Sequence, residues 1–179
     1  LAIADKLRTQ VTSINQGISN GNSAIALLQI ADKSMAEQSK ILDTVKAKLI
    51  QANTATTSAD GRESIRKDIT KLLEQLDNIA QQTNYNGNYL LQLDATSGAG
   101  ATASLEFQVG EKTSDMITMD AVRANTTGLA LTGLTGLTTS GTLTTTAAQT
   151  GQGSVDSAIT TLNGYRGDIG STQNQVESA

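Results

Sequence analysis

The sequence predicts a mainly α protein with a small β part: an elongated helical bundle, two N-terminal helices in a hairpin plus a C-terminal helix, with a β-hairpin region. Three observations predict it. Apolar residues recur at alternating spacings of four and three towards both ends of the chain, there is no Pro among the 179 residues, and aromatic residues are only 2% of the total. An interior Pro costs a helix about 3 kcal/mol, so its absence suits long unbroken helices. Aromatic side chains bury the most area each, so a compact core is hard to fill from a chain with no Trp and one Phe, Phe107. A slender seam of Ala, Ile, Leu and Val asks for less.

The first element spans 1–53. Leu7, Val11, Ile14, Ile18, Gly21, Ile25 and Leu28 hold the four-three spacing, and after one break Ala31, Met35, Gln38, Leu42, Val45, Leu49 and Ala52 resume it. Such a repeat keeps one narrow stripe facing a partner helix. Gly17 and Gly21 each weaken a helix by about 1 kcal/mol against Ala, so a kink or a close helix approach is expected there. The Thr-, Ser- and Ala-rich stretch that follows reads as a turn. A second helix is expected over 58–82, with a capping box from Asp60 and Glu63, an i,i+4 pair between Glu63 and Lys67, and a seam of Ile65, Ile69, Leu72, Leu76 and Ile79. Two seamed helices joined by a short loop make an antiparallel hairpin.

From 83 to 153 a β-hairpin and loop region is expected. Asn84-Tyr85-Asn86-Gly87 is turn chemistry, because Asn and Gly tolerate positive φ. Leu105, Phe107 and Val109 alternate with polar residues, 110–114 is a polar turn, and Met116 to Val122 is again β-tolerant, which together predict a hairpin. Ala124 to Val155 contains no charged residue and is punctuated by Gly, so irregular loop with short strands is expected. The last helix is expected over 154–179, with Val155, Ile159, Leu162, Arg166, Ile169, Gln173 and Val176 in its seam. The whole of 1–179 then forms one core domain, and helical patterns running to both ends suggest a fragment.

Charge and composition exclude several functions. A net charge of −4, with 13 basic residues interleaved among 17 acidic ones, offers no basic stripe for nucleic acid. No run approaches the ~20 apolar residues that cross a bilayer, so membrane insertion is not expected. With no Cys and no His, thiolate, zinc-thiolate and His-assisted nucleophilic chemistry have no groups to use. Gly110-Glu111-Lys112-Thr113 lacks the glycines of a phosphate loop. Asp115 and Asp120 read as solvated strand ends, and Arg62, Arg66, Lys67 and Lys71 as a solvated helix face rather than an anion site. Asn125-Thr126-Thr127 matches a glycosylation acceptor, a pattern common by chance. No catalytic, cofactor or metal residue is assigned: the chain reads as structural, not as an enzyme.

Leu1 to Arg8 resembles the stretch that opens the core domain of bacterial flagellins, and Asn15-Gln16-Gly17-Ile18-Ser19-Asn20-Gly21 resembles their run into the first long helix. Gln82-Thr83-Asn84-Tyr85-Asn86-Gly87 is similar to the family's turn after the second helix, Phe107-Gln108-Val109-Gly110 to its strand, and Gly170 to Gln175 to its closing helix motif. The resemblance implies a filament subunit for motility, secreted through the flagellar export channel to the extracellular flagellum, with other flagellin subunits, the export machinery and hook-associated proteins as partners. The family's extreme terminal segments, which pair into the filament's inner tube, have no counterpart in these residues, so this chain alone is expected to stay monomeric. A hook–filament junction protein is the alternative, and a helical signalling stalk a more distant one. The resemblance also touches a host toll-like receptor, which reads an Arg-rich surface on the first core helix. The similar positions here, Thr44 to Gln51, have lost that Arg, which implies weak or absent activation.

Overall fold

The computed structural model describes residues 2–110, 112 and 115–178, with the side chains of 10, 11, 13–15 and 18 outside that description. Helix α1 spans Ala2–Ala52, about 76 Å at the usual rise. Every expected seam residue from Leu28 to Ala52 is fully buried, including Gln38. Further down, Ile3 and Leu7 are 77% and 57% exposed, so the expected burial of Leu7 does not occur. Val11, Ile14 and Ile18 lie outside the described side chains. At Gly17 the close approach is to non-helical chain, not a helix: a Cβ there would lie 2.6 Å from the carbonyl oxygen of Val109.

Helix α2 spans Ala59–Gln82. Its cap is Ser58, whose extended backbone lets Oγ accept from Gly61 N–H at 3.0 Å, as N-caps do. The Asp60–Glu63 capping box is therefore corrected: Asp60 already lies inside the first turn, and Glu63 turns to Arg66 rather than to Lys67. The buried stripe is Ile65, Ile69, Leu73, Leu76 and Ala80, with the expected Leu72 and Ile79 only half-buried. Adjacent helix positions point about 100° apart, so where the partner lies decides which of Leu72 and Leu73, or of Ile79 and Ala80, is covered.

After Thr83, whose N–H and hydroxyl both donate to Ile79 O, β1 (Asn84–Tyr85) and β2 (Asn88–Tyr89) pair antiparallel around Asn86-Gly87. A longer hairpin pairs β3 (Leu105–Gln108) with β4 (Met116–Met119) in the register Leu105↔Met119 and Phe107↔Ile117. Three residues of its expected 110–114 turn, Glu111, Thr113 and Ser114, lie outside the described residues. β4 buries Ile117 and Met119 and leans on the C-terminal helix, while β3 leans on α1.

The uncharged stretch departs from expectation. Among its described residues there is no strand: a short helix α3 covers Thr132–Thr135, and helix α4 runs over Thr145–Ser178, beginning nine residues before 154. Thr144 caps it, its Oγ1 accepting from Ala147 N–H at 3.1 Å. Thr and Gly are poor helix formers, but burying Ala148, Gly151 and Val155 overrides a weak local preference. Gly151 fits because a Cβ there would meet Leu134 at 2.8 Å and Leu49 at 3.2 Å. Along α4 the inner positions are Ala158 and Thr172, displacing the expected Ile159 and Gln173 outwards. Arg166 leaves the seam, its Nε donating to Asp32 at 2.9 Å. α4 runs antiparallel to α1, pairing Asp156 with Lys46 and Arg166 with Asp32, and bringing Val176 to Gly21. α1 thus packs against α2 and, more extensively, against α4.

Candidate functional site

Side-chain hydrogen bonds pin the non-helical chain to the bundle at Glu63–Arg66, Asp77 and Gln38, and tie it to itself at Gln92–Asn125. On α2, Glu63 and Arg66 form a bidentate pair at 3.0 and 3.1 Å to Nε. Arg66 also donates to Leu137 O at 3.0 Å, and Glu63 accepts from Gly141 N–H at 3.1 Å. The pair thus clasps the loop after α3. The Arg66 hydrogen bond holds the Glu63 carboxyl at about 2 against its usual 4.5, with burial opposing and the Gly141 amide assisting; the same bond raises Arg66. About three turns further along α2, Asp77 accepts from the amide and hydroxyl of Thr126, both at 2.8 Å.

A third knot centres on the fully buried side chains of Gln92 and Asn125. Gln92 donates to Asp94 O and Thr96 O and accepts from Asn125 Nδ2 at 2.9 Å. Asn125 also donates to Ala99 O and accepts from Gly128 N–H, each at 2.8 Å. Asp94 accepts from Thr96 N–H at 2.8 Å, which lowers its pKa. The fourth tie is Gln38 of α1, which donates to Leu76 O of α2 at 3.2 Å and to Ala124 O at 2.6 Å. Its own Oε1 is buried and has no partner.

The residues singled out from sequence fall as follows. Lys67 and Lys71 are exposed, but the Arg66 side chain is 11% exposed and belongs to the clasp, so the solvated-face reading fails there. Asp115 closes its own turn, accepting from Lys112 N–H at 3.0 Å, and the strand β4 separates it from exposed Asp120 by on the order of 15 Å. The two carboxylates therefore do not share a site. Asn125 is fully buried with its amide engaged, so the folded chain does not present it as a glycosylation acceptor. Thr44, Ala47, Ile50 and Gln51 are exposed on α1, while Lys46 and Lys48 reach Asp156 at 2.6 Å and Asp68 at 3.1 Å. A hollow of about 610 Å³ opens between β4 and the end of α4, with Asp115 the one titratable residue lining it among the described residues. Among those residues no group of three His, Cys, Asp or Glu could hold a metal ion, and no helix is long and apolar enough to cross a membrane. The sequence signal for the clasp was an opposite charge three residues from Glu63; Asp77, Gln92 and Asn125 gave none, because their partners are distant in sequence.

The model of the bacterial flagellin N-terminal helical region matches residues 1–96, which is α1, α2 and the small hairpin. The chain belongs to the flagellin family. It is 43% identical over 131 residues to flagellin A of Helicobacter mustelae, covering 70% of this chain and 26% of that one. It is 27% identical over 182 residues to flagellin FlaB1 of Treponema pallidum, covering 99% of this chain and 63% of that one. Its fold matches the crystal structure of Bacillus cereus flagellin with a TM-score of 0.74 at 28% identity, over 89% of this chain and 85% of that chain. The chain spans about a quarter of the length of the Helicobacter mustelae relative.

Proposed function

We propose that the chain is the helical core of a structural subunit of the bacterial flagellar filament, packing beside copies of itself for motility rather than turning over a substrate. The match of residues 1–96 to the flagellin helical region carries this reading. The packing supports it: α1, α2 and α4 turn most of their large apolar residues inwards, so the long outer faces that would meet neighbours are polar. Such faces suit many weak, repeated contacts along a rod better than one apolar docking patch. The named relatives are flagellins, which favours the filament over the hook–filament junction. Extracellular location, passage through the flagellar export channel and contact with hook-associated proteins follow from the same family reading.

Activation of a toll-like receptor by the Thr44 to Gln51 surface is proposed to be weak or absent. Its cations are lysines rather than Arg, and both are drawn towards carboxylates on neighbouring helices. A full reporter-cell response at low dose would overturn that. The filament reading is tested by immunogold electron microscopy of the source cells with antibody raised to this chain. Gold along the filament is expected; gold confined to its base would identify a junction protein, and gold on the cell body would exclude both.

A further inference from the structure

We infer that Asn86 is a self-modifying site: in the folded chain it deamidates through attack by the amide nitrogen of Gly87, ahead of every other Asn-Gly pair. Three such pairs occur, Asn20-Gly21, Asn86-Gly87 and Asn163-Gly164. As dipeptides they are equivalent, because the absent Gly side chain leaves the following amide nitrogen unshielded in each. Tertiary structure makes them unequal.

The reaction needs the Gly nitrogen to reach Cγ of the preceding Asn. A C–N bond forms and closes a succinimide, and the side-chain nitrogen leaves as ammonia with the proton from the Gly amide. Water then opens one of the two imide C–N bonds, giving Asp or isoAsp, so the balance is water in and ammonia out. Ring closure requires both a free Gly N–H and rotation of the Asn ψ.

At Gly21 and Gly164 both requirements are blocked. These residues lie well inside α1 and α4, where each N–H is committed to the carbonyl four residues back and ψ is held near −42°. The Asn20 side chain is tied as well, donating to Gln108 O and accepting from Gln16 Nε2, both at 2.8 Å. Rotation at either site would break a long packed helix.

Asn86-Gly87 is differently placed. The pair forms the tip of the β1–β2 hairpin, with φ of 52° and 82°, close to a type I′ turn. Both residues are exposed, and nothing lies within 4 Å of where a Gly87 Cβ would be. The side-chain partner of Gly87 N–H is the amide oxygen of Asn84, at a long 3.3 Å, and Asn84 is itself exposed. The flanking strands are two residues each, a ladder too short to be stable by itself. Opening this tip therefore disturbs little of the packed bundle, and the nitrogen is restrained chiefly by one surface side chain. The two products differ in consequence. Asp-Gly satisfies the same turn, so the Asp form keeps the hairpin and adds a negative charge. IsoAsp lengthens the main chain by one carbon and shifts Asn84 against Tyr89.

The test is peptide mapping by mass spectrometry after incubation of the folded chain at neutral pH, beside a sample in guanidinium chloride. Asn86 is expected to convert first in the folded chain, as a resolved Asp and isoAsp pair, with Asn20 and Asn163 following at comparable rates only in denaturant. The substitution Asn84→Ala is expected to speed conversion at Asn86 several-fold while circular dichroism stays unchanged. Conversion of Asn20 or Asn163 at the rate of Asn86 in the folded chain would overturn the inference, as would an intact Asn86 in the folded chain when it converts in denaturant. An unchanged rate in Asn84→Ala would overturn the restraint assigned to Asn84.

Discussion

Helix α1 carries one spacing pattern with two outcomes. Between Leu28 and Ala52 every residue in the four-three register is fully buried, even polar Gln38, whereas Leu7 in the same register is more than half exposed. The upper stretch lies between α2 and α4. The lower stretch runs past the point where Val176, near the end of α4, meets Gly21, and no described helix covers Leu7. A periodic stripe thus records what a helix is able to bury, and the presence of a partner decides whether it does so.

The largest expected effect sharpens that contrast. Leu42→Ala removes a fully buried side chain and is expected to cost about 2–5 kcal/mol. Leu7→Ala, at an exposed site, is expected to stay within about 0.5 kcal/mol. Equilibrium denaturant unfolding of both variants measures the difference, and similar losses would show that the lower stretch is packed after all.

Next comes the polar residue in the buried stretch. Gln38→Met keeps the length of the side chain but removes the donor to Ala124 O. Leaving that carbonyl unpaired is expected to cost about 1–3 kcal/mol, less whatever is recovered by removing the unpartnered Oε1. A variant more stable than the parent would mean that the orphaned oxygen dominates.

Acidity probes the loop clasp instead of the seam. The folded pKa of Glu63, about 2, lies below the unfolded 4.5, so its contribution is full above about 4.5 and is lost as pH falls from there towards 2. Glu63→Gln is expected to flatten the pH dependence of unfolding in that window, while the lowered Asp94 leaves a smaller slope of the same sign. The protection of amides from Leu137 to Gly141, taken relative to the intrinsic exchange rate at each pH, is expected to fall over the same range in the parent. Protection that is constant across that range would remove the clasp from the account.

The smallest effects separate two kinds of helical Gly. Gly164→Ala places a methyl in open space and is expected to stabilise by about 0.5–1 kcal/mol through propensity. Gly17→Ala drives a methyl into the Val109 carbonyl, so any gain in propensity is offset by displacing the residue that follows β3 from α1. Thermal unfolding of the pair reads the sign directly.

Much of the fold was legible in the residues. The helical character of α1 and α2, the Asn86-Gly87 turn and a hairpin between the stretches that begin at Leu105 and Met116 follow from local spacing and turn chemistry, although the strands stop at Gln108 and Met119 and do not reach the expected Val109 and Val122. The surface consequences were less legible. Nothing near Asn125 in sequence says that Gln92 and Ala99 will enclose it, and Arg66 looks like its exposed neighbour Lys67 until Leu137 and Gly141 are brought over it.

Local spacing and composition were enough for a long seamed helix, its return through a second, a turn at Asn86-Gly87, one small hairpin and a chain without His or Cys, because these depend on neighbours a few positions away or on composition alone. Tertiary structure decided the rest. It chose Leu73 over Leu72 and Ala158 over Ile159, because adjacent helix positions point about 100° apart and the partner's placement decides which of them is covered. It drew Thr145 to Gly153 into α4, because burial against Leu49 and Leu134 outweighs the poor helix propensity of Thr and Gly. It also separated three equivalent Asn-Gly pairs, because two have their amides inside long helices and one stands at the tip of a hairpin.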